Sequence, residues 1–154
     1  MIKFIVKLFG LKKDHRLAPL RSNTQYGQSL RNLGIQIHAN AVKKGWWEKD
    51  RNMGEMLALV HSEVSEALEA DRNAKYADWM YDTPPIISVE SYKDGEFKET
   101  FEKYVKNTFE DELADVVIRV LDIAHSRGFD LEWHIVNKMR YNTMRPYKHG
   151  GKKY

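Results

Sequence analysis

The chain has 154 residues and no cysteine, so disulfides, thiolate metal sites and cysteine nucleophiles are excluded. Its hydrophobic fraction of 42% and charged fraction of 31% are ordinary for one globular domain, and the formal net charge of +3 is too small to indicate nucleic-acid binding. The lack of cysteine suits a reducing compartment, and we expect a cytoplasmic protein.

The first 23 residues are expected to form a separate N-terminal segment. Residues 1–11 are apolar with interleaved lysines, which is too short a run to cross a bilayer. We expect a strand or helix that packs on the core or on another subunit. A surface membrane anchor is the weaker alternative.

Four later segments show the three-and-four spacing of apolar residues that predicts helices. Their expected bounds are about 24–44, 50–72 and 108–127, with the fourth running from Asp130 to a limit set by Pro146. Gly45 is a natural stop for the first helix, and Thr108 and Asp130 are suitable N-caps for the third and fourth. The predicted fold is therefore all-α, an antiparallel helical bundle.

A long insertion, residues 73–107, separates the second and third predicted helices. The apolar run 86–89 followed by Asp94-Gly95 favours a small β-hairpin, whereas residues 97–105 are also compatible with a short helix. A connection of this length in a small domain is usually functional or poorly ordered. At the other end of the chain, residues 151–154 are expected to be a flexible tail.

Four carboxylates interrupt the apolar faces of the second and third helices. Glu63 and Glu66 are three residues apart, as are Glu112 and Asp115, and residues at that spacing project from the same side of a helix. Four facing carboxylates repel one another unless a cation lies among them. Oxygen ligands alone favour Mg²⁺ or Mn²⁺ over zinc. The alternative is that these are solvated surface acids, which are common on helices.

A di-metal bundle of the ferritin type is a weaker interpretation of the same acids. It requires Glu-x-x-His motifs, and Asp122 with His125 supplies only an Asp-x-x-His.

Basic and aromatic residues near the acids are candidate substrate contacts. Lys138, Asn142 and Arg145 share one face of the fourth helix, where Lys and Arg suit phosphate groups; the alternative is a solvated basic face. Trp46 and Trp47 follow the first helix, and either ring is suited to stack on a base. Core packing is the alternative, and we expect it for one of the two.

The two carboxylate pairs resemble the metal signature of the MazG-like, all-α nucleoside triphosphate pyrophosphohydrolase superfamily. The similarity covers roughly residues 24–150, apart from the insertion. The matching stretches are Gly54 to Ala70, Glu112 to Arg119, and the Lys138-x-x-x-Asn142-x-x-Arg145 element.

This resemblance implies a Mg²⁺-dependent hydrolase, with Mn²⁺ as an alternative ion, whose site lies on Glu63, Glu66, Glu112 and Asp115. Water would attack the α-phosphorus of a nucleoside or deoxynucleoside triphosphate, giving a monophosphate and pyrophosphate in nucleotide-pool housekeeping. Glu63 is our candidate for orienting that water. The resemblance also implies a base contact near His38, although a lone histidine is more often structural, and a homodimer or homotetramer.

Two departures from the family pattern leave details open. Ser62 stands where many members have the first of two adjacent glutamates, so the number of metal ions is undetermined. The insertion is longer than in compact members, which leaves the preferred nucleotide open. Phosphoribosyl-ATP pyrophosphohydrolase-like activity and a non-catalytic helical dimerisation module are the alternative functions. The near-neutral charge disfavours a nucleic-acid partner, and no membrane partner is expected.

Overall fold

The computed structural model describes residues 29–77 and 93–147, and these residues form an all-helical structure. The helices in this part of the chain are α1 (Leu30–Lys43), α2 (Met53–Arg72), α3 (Asp94–Tyr104), α4 (Phe109–Ser126) and α5 (Leu131–Thr143). The predicted all-α class is confirmed. The N-terminal segment and the tail predicted from the sequence lie outside the described residues. None of these five helices combines the length and the apolar character that a membrane span requires.

The helix ends follow local sequence signals. The side chains of Thr108 and Asp130 each accept a hydrogen bond from the backbone N–H three residues further on, which caps α4 and α5. Gly45 follows α1 with φ +82°, and Gly128 follows α4 with φ +68°. Glycine adopts this left-handed conformation without the steric penalty of a Cβ, so the helix stop predicted at Gly45 is confirmed, and Gly128 ends α4 in the same way.

The hairpin turn predicted at Asp94-Gly95 is wrong, because these two residues begin α3. Acidic residues in the first turn of a helix interact favourably with its dipole, and Asp94 and Glu96 occupy that turn. The rings of Phe97 and Phe101 then lie 5.8 Å apart, one helical turn from each other. The short helix considered as an alternative is therefore confirmed. The strand expected at 86–89 lies outside the described residues.

Helices α2 and α4 pack along each other, and their contacts run in opposite directions along the chain. The guanidinium of Arg127 donates to the carbonyl of Arg51 across 2.6 Å, before α2 begins. At the opposite end, the N–H of Phe109 donates to the carbonyl of Lys75 across 2.9 Å. The end of one helix thus meets the start of the other, which is an antiparallel arrangement. Helix α1 packs on α4, and α5 packs on α1.

The core of the described chain is thin and consists mainly of small side chains. Its buried apolar residues include Ala67, Ala70, Ala124, Met56 and Leu121. Gly34 of α1 is buried against α4, and a Cβ at this position would be in ordinary van der Waals contact with the carbonyl oxygen of Leu121, 3.5 Å away. Small residues therefore contribute much of the buried core between these helices.

A set of larger apolar side chains remains exposed on the outside of α2 and α4. We call this set the outer stripe, and its members are Leu57, Val64, Leu68, Leu113 and Val117. Each is between 43% and 50% exposed. The residues of the outer stripe belong to the apolar faces predicted for these two helices. Within the described part of the chain, few side chains pack over them.

Hydrogen bonds also hold the chain on both sides of residues 78–92. Besides the bond from Phe109 to Lys75, the N–H of Ala77 donates to Oε2 of Glu110 across 2.8 Å. The N–H of Asn107 donates to Oδ2 of Asp111 across 2.9 Å. Both ends of the insertion, at Lys75 and Ala77 and at Asn107, are thus attached to the first turn of α4, the turn that also carries Glu112.

Candidate metal centre and adjoining pocket

Three of the four predicted metal-binding carboxylates converge where α2 crosses α4. Glu63, Glu112 and Asp115 each offer one oxygen, and these oxygens lie within 4.8 Å of one another. Glu63 and Glu112 are each only 5% exposed, and Asp115 is half-buried. We call these three residues the carboxylate trio. Such a buried set of oxygen donors could hold a metal ion.

Glu66 lies one turn after Glu63 on α2 but is exposed and is not part of the trio. Its charge is nevertheless close enough to raise the pKa of Glu112. The structure thus places the fourth predicted ligand at the edge of the site.

Burial and mutual repulsion both disfavour ionisation of the acids on α4. Burial is the main factor that raises the pKa of Glu112, and nearby carboxylates raise it further; these are Glu66, Asp111, Asp115 and Glu63. Burial also raises the pKa of Asp115. The negative charges of Asp111 and Glu63 raise this pKa further, whereas the positive charge of Arg119 lowers it in part. A cation would relieve both effects, since it supplies opposite charge where water is scarce.

Glu112 has no counter-ion. The residue is 5% exposed, and no ion pair among the described residues includes it. No buried side-chain oxygen of these residues lacks a hydrogen-bond partner, so what Glu112 lacks is opposite charge, not a hydrogen bond. A cation held by the trio would supply that charge.

Glu63, in contrast, is already paired. Nε of Arg119 lies 2.5 Å from its Oε1, and the arginine side chain is 32% exposed. Arg119 is not among the site residues predicted from the sequence. The available signal was a basic residue one turn after Asp115, inside the otherwise apolar run 116–121.

A cavity of about 290 Å³ opens beside the trio, between α1, α2 and α4. Its polar and aromatic lining comprises Asn40, Trp46, Trp47, Arg51, Asp115, Arg119 and Asp122. Asp115 belongs to both the trio and the cavity wall. The volume is near the lower end of the range typical of small-molecule sites, about 300–1,000 Å³.

Trp46 and Trp47 both line this cavity, and Trp47 also packs against His38. Trp46 is 54% exposed, and the guanidinium of Arg51 lies 5.2 Å from the centre of its ring. Trp47 is half-buried. Two indole rings at one cavity suit a flat aromatic ligand.

Asp122 fixes the orientation of one of these rings. Its Oδ2 accepts a hydrogen bond from Nε1–H of Trp47 across 3.1 Å, and its Oδ1 lies 2.7 Å from Nδ1 of His38. The rings of His38 and Trp47 meet edge to face, 5.0 Å apart. His38 therefore contacts the carboxylate that orients Trp47. From the sequence alone, Asp122 was noted only as part of an Asp-x-x-His motif.

The predicted phosphate-binding face is not brought to the trio within one chain. Lys138 and Asn142 lie exposed on α5, and Arg145 follows that helix. Helix α5 packs on α1. Among the described residues, no hydrogen bond or ion pair links these three side chains to the carboxylates.

No family model matches the chain, and comparison with curated proteins and with solved structures returns no match. The chemistry of the trio and its cavity is therefore the basis for assigning a function.

Proposed function

We propose that the protein is a Mg²⁺-dependent nucleoside triphosphate pyrophosphohydrolase, acting on a nucleoside or deoxynucleoside triphosphate. One observation carries the proposal: a buried carboxylate trio shares Asp115 with a cavity that presents two indole rings. A cation site and an aromatic-binding cavity in contact match the two ends of a nucleotide, its charged phosphates and its flat base.

The donor set fits the proposed ion. All three side chains of the trio offer oxygen, which Mg²⁺ and Mn²⁺ prefer over nitrogen or sulfur. Glu63, Glu112 and Asp115 would hold the ion, with Glu66 available at the edge. When bound, such an ion supplies positive charge that neutralises phosphate oxygens during displacement at phosphorus.

The residues of the chain would perform the remaining tasks. The indole of Trp47, held by Asp122, would stack on the base, with Trp46 beside it. Water would attack the α-phosphorus while the bond from that phosphorus to the bridging oxygen breaks, releasing pyrophosphate. The proton of the water would pass to a carboxylate of the site, for which Glu63 is the candidate.

The test is release of pyrophosphate from a panel of canonical and modified nucleoside triphosphates, with phosphoribosyl-ATP included, in Mg²⁺ and in EDTA. Glu112→Gln keeps the shape of the side chain but loses its charge, and we expect it to abolish Mg²⁺-dependent release. Glu99→Gln, at an exposed position on α3, is the matched control and should keep full activity. If folded wild-type protein releases no pyrophosphate from any of these compounds, the proposal is wrong.

The proposed enzyme would work as a homodimer or a homotetramer. The outer stripe leaves apolar surface exposed on the two helices that carry the trio, and a second copy could cover it. The same surface would serve the alternative function, a non-catalytic dimerisation module. That module predicts self-association without Mg²⁺-dependent pyrophosphate release, so the nucleotide panel separates the two functions.

A further inference from the structure

We propose that Arg119 is an exchangeable counter-ion, which neutralises Glu63 in the metal-free protein and binds substrate phosphate once a metal ion has displaced it. This inference rests on the proposed function but extends it to a residue outside the predicted site. It assigns two successive partners to one guanidinium group.

The first partner is visible in the structure. Nε of Arg119 lies 2.5 Å from Oε1 of Glu63, whose side chain is 7% exposed. A buried carboxylate without a partner is costly, so the arginine stabilises the centre when no ion is bound. Glu112 has no comparable partner among the described residues.

The pairing also creates a conflict with the metal. A divalent ion bound to Glu63 would lie within a few ångströms of the guanidinium, and two cations at that distance repel strongly where water is scarce. The carboxylate that the ion needs is the one that Arg119 neutralises. Binding of the ion therefore favours movement of Arg119 away from Glu63.

The cavity provides a place for the displaced side chain. Arg119 lines the 290 Å³ space together with Asp115, which lies one helical turn before it. Its side chain is already 32% exposed, so the movement requires no unfolding of α4. A planar guanidinium binds phosphate oxygens through two parallel hydrogen bonds, so Arg119 in this space would be available to the phosphates of a substrate.

The mechanism predicts effects of opposite sign on the two ligands. Without nucleotide, Arg119 competes with the metal, so its removal should tighten metal binding. With nucleotide, Arg119 supplies a phosphate contact, so its removal should weaken nucleotide binding. Metal and nucleotide are thereby coupled, each favouring the arginine position that suits the other.

The experiment measures Mn²⁺ binding to the full-length chain by electron paramagnetic resonance, first without nucleotide and then with a non-hydrolysable triphosphate. For Arg119→Gln we expect a Kd for Mn²⁺ alone about three- to tenfold lower than wild type, and a Kd for the triphosphate at least tenfold higher. Arg119→Lys keeps the charge but loses the planar fork. It should bind Mn²⁺ nearly as wild type does, yet bind the triphosphate more weakly.

Arg51→Gln is the control for a general change of charge, because Arg51 lines the same cavity but does not pair with Glu63. If it tightens Mn²⁺ binding as much as Arg119→Gln does, long-range electrostatics explains the result and the exchange is overturned. Unchanged or weaker Mn²⁺ binding in folded Arg119→Gln also overturns it, as does a wild-type protein that binds no Mn²⁺. If wild type binds Mn²⁺ as expected but releases no pyrophosphate, the proposed function fails, whereas the metal measurement still supports the exchange.

Discussion

At the scale of single residues, Glu112 combines burial with the lack of a counter-ion. Its pKa is raised mainly by burial and then by surrounding carboxylates, so its ionised form is less favourable in the metal-free protein than that of an ordinary glutamate. The same residue is central to the proposed site. Function and stability should therefore respond to it in opposite directions.

This opposition gives a pH-dependent prediction. The folded-state pKa of Glu112 and of Asp115 lies above the ordinary carboxyl value of about 4, so the folded protein holds these protons more tightly than the unfolded chain does. Their contribution to stability is therefore lost as the pH rises from about 4 through the raised pKa values. Glu112→Gln should reduce this loss and raise the Tm of metal-free protein at neutral pH, by roughly 2–4 °C for each 1 kcal/mol.

Thermal denaturation in EDTA between pH 4 and pH 7 measures this effect, with Glu99→Gln as the control. Added Mg²⁺ should stabilise the wild type by mass action and leave Glu112→Gln almost unaffected. A metal-free variant that is less stable than the wild type at neutral pH would contradict the prediction.

Asp122 supports a second prediction at this scale. Asp122→Ala removes both carboxylate oxygens that contact His38 and Trp47, so the indole loses the hydrogen bond that orients it. A hydrogen bond to a charged group contributes about 1.5–3 kcal/mol. We expect KM for the best nucleotide to rise about tenfold or more, with a smaller change in kcat. Trp47→Phe, which keeps a ring but removes the N–H, should reproduce part of this rise, and an unchanged KM in both variants would remove Asp122 from base recognition.

At the scale of elements, α5 is joined to the bundle mainly through α1. Nη2 of Arg31 lies 2.7 Å from Oδ2 of Asp130, and the N–H of Arg31 donates to Glu132 across 3.3 Å. The pKa of Asp130 is lowered, chiefly by the hydrogen bond that it accepts from the N–H of Trp133 and also by Arg31. The start of α5 is thus anchored, while its later turns remain exposed.

Arg145, which follows the last turn of α5, is predicted to contact the phosphates of the substrate. If this residue binds substrate phosphates, Arg145→Ala should lose about 1.5–3 kcal/mol of binding or transition-state stabilisation, which lowers kcat/KM tenfold or more. An arginine at a helix C-terminus stabilises the fold by only about 0.3–1 kcal/mol, so the Tm should change little. Arg140→Ala on the same helix is the control, since Arg140 is not on the Lys138 face. A large fall in Tm with unchanged kinetics per folded molecule would make Arg145 a structural residue.

At the scale of the whole molecule, the small side chains of the core contrast with the exposed outer stripe. The apolar residues of that stripe lie on the same two helices that carry the trio. A second copy that covers them would bury apolar surface on the helices that hold the trio. A substitution that dissociates the oligomer should therefore lower activity even though it removes no carboxylate.

We expect wild type to be a dimer or a dimer of dimers by light scattering, and Val117→Asp to dissociate it. An unpaired charge buried in an interface costs several kcal/mol, which raises the dimer Kd by a factor of at least ten. Val42→Asp is the control, because Val42 is equally exposed but lies on α1, outside the outer stripe. A wild-type protein that remains monomeric on concentration and is fully active would refute the proposal.

The sequence predicted features that depend on neighbouring residues and missed those that depend on distant ones. Helix periodicity and the caps at Thr108 and Asp130 are local, and they identified four of the five described helices. The pairs Arg119–Glu63 and Asp122–His38 join residues 56 and 84 positions apart. Which side chains meet across two helices depends on their axial register, which spacing along one helix does not determine. The hairpin turn predicted at Asp94-Gly95 was wrong for a different reason, because an acidic residue is favourable both in a β-turn and in the first turn of a helix.

The hydrogen bonds on both sides of residues 78–92 have a consequence for how this protein can vary. Lys75 and Ala77 are tied to Phe109 and Glu110, so the register of α2 on α4 is set before the chain enters that stretch. Where both ends of a connection are already fixed, each doubling of its length adds only about 0.6 kcal/mol to the entropic cost of closing it. Insertions, deletions or a grafted reporter domain between residues 78 and 92 should therefore leave the carboxylates in place, which makes this stretch a suitable position for evolutionary or engineered change of length.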